Sequence, residues 1–193
     1  RNRSGRGQFV EAALYDSGLS LLHPHAANWF MDGTEPRRTG NAHPNIYPYD
    51  ALATGTDPVF VAVGNDRQFA SLCRCIGLPA LADDPLYRTA GARSVHRAGL
   101  KQQLEAAMAA FDGRALVEQL MAAGVPAAPV LPVAAALEHP HTAHREMVVE
   151  MEGGYRGIGA PVKLSRTPAS YRHAPLTPGE RFLPESAAGA SAS

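Results

Sequence analysis

Three groups of residues have types and spacing suited to chemistry. His139, His141 and His144 lie within six positions and offer imidazole nitrogens at a spacing that could hold a metal. No cysteine joins them, and Pro140 interrupts the helix that would align the rings, so they read as a solvated helix terminus and no metal site is assigned. Cys73 and Cys75 are one residue apart in Phe69-Ala-Ser-Leu-Cys-Arg-Cys-Ile-Gly77. They are too close for an ordinary disulfide in a helix and lack the second pair that a zinc site needs. Both read as helix residues, Cys73 buried and Cys75 off the apolar face. The third group is Gly40-Asn-Ala-His-Pro-Asn-Ile-Tyr-Pro-Tyr49. Its glycine lets backbone amides approach a ligand closely, and Asn41, His43, Asn45 and Tyr47 add polar handles. Pattern alone leaves either an interdomain linker with ordinary turn chemistry or a ligand loop, and favours the linker. His23 and His25 flank Pro24 and read as the end or bend of a helix. No phosphate loop, nucleophile elbow or His-Glu-x-x-His motif occurs.

The elements that must position these groups follow from hydrophobic spacing. Gln8 to Leu22 runs from a short β-compatible stretch into a helical pattern, with Leu14, Leu19 and Leu22 free to pack and no partner nearby in sequence. Met31 to Pro48 is rich in turn formers. Val59-Phe-Val-Ala-Val63 is a β-branched strand ended by Gly64-Asn65, and Asn65 with Gln68 has the form of a capping box. In the helix that follows, Phe69, Leu72, Cys73 and Ile76 share one face, and Gly77 and Pro79 stop it. One helix from about Thr89 to Phe111 carries Leu100, Leu104, Met108 and Phe111. Asp112 caps the next, whose stripe is Leu116, Val117, Leu120 and Met121, with Gly124 at its left-handed end. Val125–Leu131 is extended, and Val133 to about His144 forms one more helix. Met147–Met151 is a strand, Gly153-Gly154 a hairpin turn and Ile158–Leu164 its partner. Beyond Pro168 the chain reads as an extended strap with a frayed end. Helices interleaved with short strands give an α+β or α/β reading.

Composition narrows the function classes. The 193 residues are 45% hydrophobic and 19% charged, and 18 Lys+Arg balance 18 Asp+Glu. That is globular, with no electrostatic reason to expect a nucleic-acid or membrane partner. No apolar run approaches the roughly 20 residues that span a bilayer, and the amino end does not resemble a secretory signal. A cytoplasmic protein is the expectation.

Taken in order, several segments resemble the family III CoA-transferases, the CaiB/BaiF family. They are Arg6-Gly-Gln8 leading to Asp16, the loop Gly40-Asn-Ala-His-Pro-Asn45 with Pro48-Tyr49, and Val61-Ala-Val-Gly-Asn-Asp-Arg-Gln-Phe69. Next come Leu81-Ala-Asp-Asp-Pro85 with Arg93, Gly124-Val-Pro126 with Pro129-Val130, Arg145-Glu-Met-Val-Val149 and Ala160-Pro-Val-Lys-Leu-Ser165. The series covers roughly residues 3 to 180. Its Gly-Asn-Ala-His-Pro-Asn loop is closer to the dicarboxylate-type transferases than to the acyl-CoA racemases of the same superfamily.

The resemblance implies an α/β subunit of incomplete family III fold: a small α+β domain plus a remnant of a large Rossmann-like domain. Residues 1–32 would end the large domain, 33–44 form a linker and active-site loop, 45–128 the small domain, and 129–193 a strap returning to the large one. Such subunits pair as interlocked dimers. An aspartate carboxylate attacks the acyl-CoA thioester and CoA leaves as thiolate. The thiolate then opens the mixed anhydride, and the resulting enzyme-bound CoA thioester is attacked by the acceptor acid. The resemblance places that aspartate upstream of Arg1, so no catalytic residue is assigned in this chain, and Asp16, which matches a different position, is structural. Gly40, Asn41, Ala42, His43 and Asn45 are assigned to substrate binding. Coenzyme A is a substrate, and no cofactor is expected. Expected partners are acyl-CoA and carboxylate substrates, and a second copy or the missing amino-terminal half. The tail departs from the family pattern at Thr177-Pro-Gly-Glu-Arg181. Two further readings stay open: an acyl-CoA racemase on the same fold, and a non-catalytic interaction module.

Overall fold

A computed structural model describes residues 5–175, and the chain divides into two compact units, residues 1–130 and 131–193. In the first, β1 (Tyr49–Leu52), β2 (Val59–Ala62) and β3 (Ala127–Pro129) form an antiparallel sheet in that order. Asp50 faces Val61 and Leu52 faces Val59, so these four line one face and are buried, while Tyr49, Ala51, Phe60 and Ala62 line the other. The alternation is the period-2 signature of a sheet covered on one side.

Helices supply the cover. They are α3 (Asp66–Cys75), α4 (Ala90–Val95), α5 (Arg97–Met108) and α6 (Gly113–Ala122). Helix α5 packs on β1, α6 on β2 and β3, and α3 on α6. Their buried stripes, Phe69/Leu72/Cys73, Leu100/Leu104/Met108 and Leu116/Leu120, close one core with Val59, Val61, Val63 and Val125. The capping at α3 differs in one detail from a reciprocal box. Asn65 Oδ1 accepts the Gln68 amide, but Gln68 Oε1 accepts the amide of Gly64 and not that of Asn65. Asp112 caps α6 by accepting the Ala115 amide, and Gly124 takes φ 77° beyond its end. Met121 does not join the stripe: it is half exposed, and its sulfur accepts the Ala127 amide.

Three other expectations change. No strand forms over residues 8–13. A strand needs a neighbour for its backbone groups, and the described residues offer this segment none. Helices α1 (Leu14–Ser20) and α2 (His25–Asp32) follow with no buried residue, leaving Phe9, Leu14, Tyr15 and Phe30 exposed. The helix expected from Thr89 to Phe111 is broken at His96 (ψ 24°), between two residues, Ser94 and Arg97, that are both tied to the 43–45 loop.

In the second unit the expected single helix is two, α7 (Val133–Leu137) and α8 (Pro140–His144), parted where Pro140 removes a helical amide. Strand β4 (Val148–Met151) pairs antiparallel with β5 (Tyr155–Ile158), so the partner begins directly after the glycine turn and not at Ile158. Gly153 and Gly154 both take positive φ, which lets the turn close without a longer loop. The segment Thr177–Arg181 lies outside the described residues.

Candidate functional site

Between α2 and β1 the chain has neither helix nor strand, yet residues 42–46 are held by a dense set of hydrogen bonds. Gly40 takes φ 62° in a turn closed by the Ala42 amide on Thr39 O, a conformation that a β-carbon would strain. His43 donates its amide to Tyr49 O, and its ring stacks on Tyr49 with centroids 5.2 Å apart and planes 10° apart. Its Nδ1 accepts two backbone amides, Asn45 at 3.1 Å and Ile46 at 3.2 Å. The Asn45 carboxamide exchanges two hydrogen bonds with that of Asn28 on α2, at 2.8 and 2.9 Å.

The carbonyls of the same segment are taken by α4 and α5. Arg97 donates to His43 O (3.2 Å) and Pro44 O (2.8 Å), Ser94 Oγ to Asn45 O (2.7 Å) and Arg93 Nε to Tyr47 O (3.0 Å). Arg93 is fully buried. It also donates to Tyr87 O and to Asp66 Oδ1, and its guanidinium lies 4.5 Å from the centre of the Phe69 ring. A cleft of about 360 Å³ borders the loop and is lined by His25, Asn28, Asp32, Arg37, Pro44 and Asn45 among others.

The structure therefore brings His43 and Asn45 into one hydrogen-bonded turn and leaves Asn41 exposed beside it, with Ala42 half-buried. Tyr47 is not a loop handle. It is 1% exposed in the core, where its hydroxyl has no partner among the described residues and burial pushes its pKa up. Tyr47→Phe removes that unpaired hydroxyl at nearly constant shape and is expected to leave stability unchanged or raise it by about 1 kcal/mol. A urea midpoint that falls would refute this. Arg97, Ser94 and Asn28 were not picked out by sequence. Read backwards from Leu104 and Leu100, the α5 stripe lands on Arg97 and Arg93, and cations at stripe positions were the available signal.

His43 titrates below its ordinary value of 6.5 because of partial burial first, then the charges of Arg97, His25 and His23. A group whose folded pKa is depressed contributes stability that is present above 6.5 and lost as pH falls through the lowered value. The 43–46 turn should hence loosen on the acid side, as Nδ1 gains a proton that faces two amide donors. Amide NMR of Asn45 and Ile46 across that range checks it, and a ring titrating at or above 6.5 would contradict it.

The remaining groups are occupied elsewhere. Cys73 is buried with its thiol pushed up to about 11, and Cys75 is half-buried against the same core. His139 Nδ1 accepts the His141 amide at the start of α8. Asp16 lies on α1, which has no buried residue.

An antiparallel three-stranded sheet under helices, carrying a latched glycine-histidine loop, defines an α+β class that comparison makes specific. The profile of CoA-transferase family III matches residues 1–181, and the chain belongs to that family. It is 34% identical over 173 residues to a succinate–glutarate CoA-transferase of Agrobacterium fabrum, covering 88% of this chain and 43% of that protein. A succinyl-CoA:mesaconate CoA-transferase of Haloarcula hispanica is 35% identical over 182 residues, 91% of this chain and 45% of that one. Among solved structures, a CaiB/BaiF family protein from Brucella suis superposes with TM-score 0.70 at 35% identity, over 87% of this chain and 44% of that one. The chain thus spans under half the length of the relatives it matches. Its mixed helix-and-strand fold corresponds to that part of the family III fold.

Proposed function

We propose that this chain forms the loop-bearing part of an enzyme that moves CoA from an acyl-CoA to a carboxylic acid, dicarboxylic acids included. The reaction runs through an aspartyl-CoA thioester whose aspartate lies outside these residues, and coenzyme A enters as substrate. Relatives named for CoA transfer between acyl-CoA and acids support the reaction class. The observation that carries the reading is the loop itself. Most of its amides are spent internally, while those of Gly40 and Asn41 have no acceptor among the described residues. Two adjacent free amides on a glycine turn suit a developing oxyanion or an anhydride oxygen.

The assembly is completed by a second copy or by the remaining part of the family fold, which gives the exposed apolar side chains of residues 9–31 a surface to meet. The test uses the protein that carries this chain as its host expresses it. Incubation with succinyl-CoA and free glutarate should yield glutaryl-CoA and succinate, and borohydride added with succinyl-CoA should reduce the aspartyl-CoA thioester to an alcohol, releasing CoA and inactivating the enzyme. Exchange of an α-proton for deuterium without movement of CoA would reassign the protein as a racemase. Neither reaction would leave the interaction-module reading.

A further inference from the structure

Helix α3 carries Arg67, Ser71 and Arg74 along a cleft of about 290 Å³ whose other walls are Gln68, Ala123 and Gly124. The spacing i, i+4, i+7 sets the three side chains in one row, with the serine between the arginines. Neither guanidinium has a carboxylate partner. The ion pairs among the described residues use other cations, and Asp66, the acid next to Arg67 in the helix, is taken by Arg93. Arg74 instead donates at 2.9 Å to the hydroxyl of Ser71, which is 8% exposed, and that hydroxyl has no acceptor for its own proton among the described residues. Gln68 is half used as well: Oε1 accepts the Gly64 amide, and Nε2 has no acceptor there. The row thus offers donors without acceptors, and the facing Ala123 and Gly124 bring no polar side chain to answer them.

We propose that this cleft binds a phosphate group, with Arg67 and Arg74 as its clamp and the Ser71 hydroxyl and Gln68 carboxamide as neutral donors. The site stands apart from the CoA-transfer reading and shares no residue with the 40–46 loop or the cleft beside it. Two observations favour an anion. Arg67 sits in the first turn of α3, where the helix dipole disfavours a cation, and an anion between the two guanidiniums offsets both that cost and their mutual repulsion. Phosphate suits the row better than a carboxylate does, because its tetrahedral oxygens meet donors arriving from several sides, whereas a planar carboxylate is satisfied by a single fork. The carbonyl end of α6 lies on the same wall, and offsetting its partial negative charge is the competing use of two cations. Arg74, however, donates to a side chain, and no hydrogen bond joins either guanidinium to α6.

The test is a phosphate titration of the protein that carries this chain, with ionic strength held by chloride. Inorganic phosphate should move the Arg67 and Arg74 Nε–H signals to saturation and leave that of Arg114, which faces Asp57, in place. Arg67→Gln and Arg74→Gln should each weaken binding about tenfold, and Ser71→Ala by less. Adenosine 3′,5′-bisphosphate then separates two sources of the same chemistry. Tighter binding than inorganic phosphate with the same shifts assigns the site to the phosphate of a nucleotide, and weaker binding assigns it to the free ion. Shifts that never saturate, or that chloride alone reproduces, overturn the proposal, and this wild-type result decides it even where a variant fails to fold. Unchanged phosphate affinity in both arginine variants overturns it too. A urea midpoint that falls in those variants with no saturable phosphate binding by the wild type would give the arginines to the end of α6.

Discussion

Replacing Arg93 by alanine is expected to cost about 3–5 kcal/mol of stability, one of the two largest effects foreseen for a single side chain. The ion pair is not the reason. Asp66 is 58% exposed, and a pair with a solvated partner contributes at most about 1 kcal/mol. The cost comes from Tyr47 O and Tyr87 O, which take donors 3.0 and 2.9 Å away from a fully buried guanidinium and would be left bare. Each such group costs about 1–3 kcal/mol, and the vacated space against Phe69 adds a cavity term. Arg93→Lys should recover only a small part, because a single ammonium cannot span acceptors that the planar fork reaches in different directions. Urea unfolding of both variants measures this, and a loss below about 1 kcal/mol for the alanine variant would show that the carbonyls find other donors. Since Tyr47 directly follows the 40–46 segment, the Asn45 and Ile46 amide signals should broaden in the same variant.

What could be read beforehand divides along a physical line. Strand β2, the cap at Asn65, the buried stripe of α3 and the glycine ends at Gly77 and Gly124 depend on local spacing and turn chemistry, and each stands where periodicity put it. Residues 8–13 failed for the opposite reason. Phe9 and Val10 have the side chains of a strand, but strand formation depends on a neighbour, and local propensity says nothing about whether one is present. The break at His96 likewise follows from tertiary ties on both sides of it, invisible in the spacing of Leu100, Leu104 and Met108.

The candidate site was legible as a loop but not as a mechanism. Glycine, asparagine and histidine in a proline-rich stretch mark polar handles, and spacing alone treats them as equal. The structure ranks them. Asn45 is committed to Asn28, Tyr47 to the core and His43 Nδ1 to two amides, which leaves Gly40, Asn41 and His43 Nε2 as the groups still able to act. The latch on α4 and α5 escaped notice because it joins residues about fifty positions apart. Only its cations at stripe positions hinted that polar partners lay across the core.

Gly113→Ala should reverse the usual rank of helix formers. Alanine is favoured over glycine by about 1 kcal/mol within a helix, and Gly113 is the first residue of α6, where a small gain would be the naive expectation. The fold does not allow it. A β-carbon built on Gly113 falls on Asp57 O and meets Thr54 Oγ1 at 3.1 Å, so the obstacle is backbone and cannot swing aside. The same loop between β1 and β2 is pinned on its other side, where the Gly55 amide donates to Phe111 O and a β-carbon on Gly55 would lie 2.7 Å from Ala109 O. Thr56 Oγ1 ties the arrangement by accepting the Gly113 amide at 2.9 Å. Relief would require α6 to retreat, opening the interface that Leu116 and Leu120 make with the sheet. A loss of about 2–4 kcal/mol is expected, in the range of overpacked and disrupted cores. Thermal or urea unfolding of Gly113→Ala beside an exposed control in the same helix, Glu118→Ala, measures it. A Gly113→Ala midpoint equal to or above wild type would mean that the β1–β2 loop yields freely and that α6 is not seated against it.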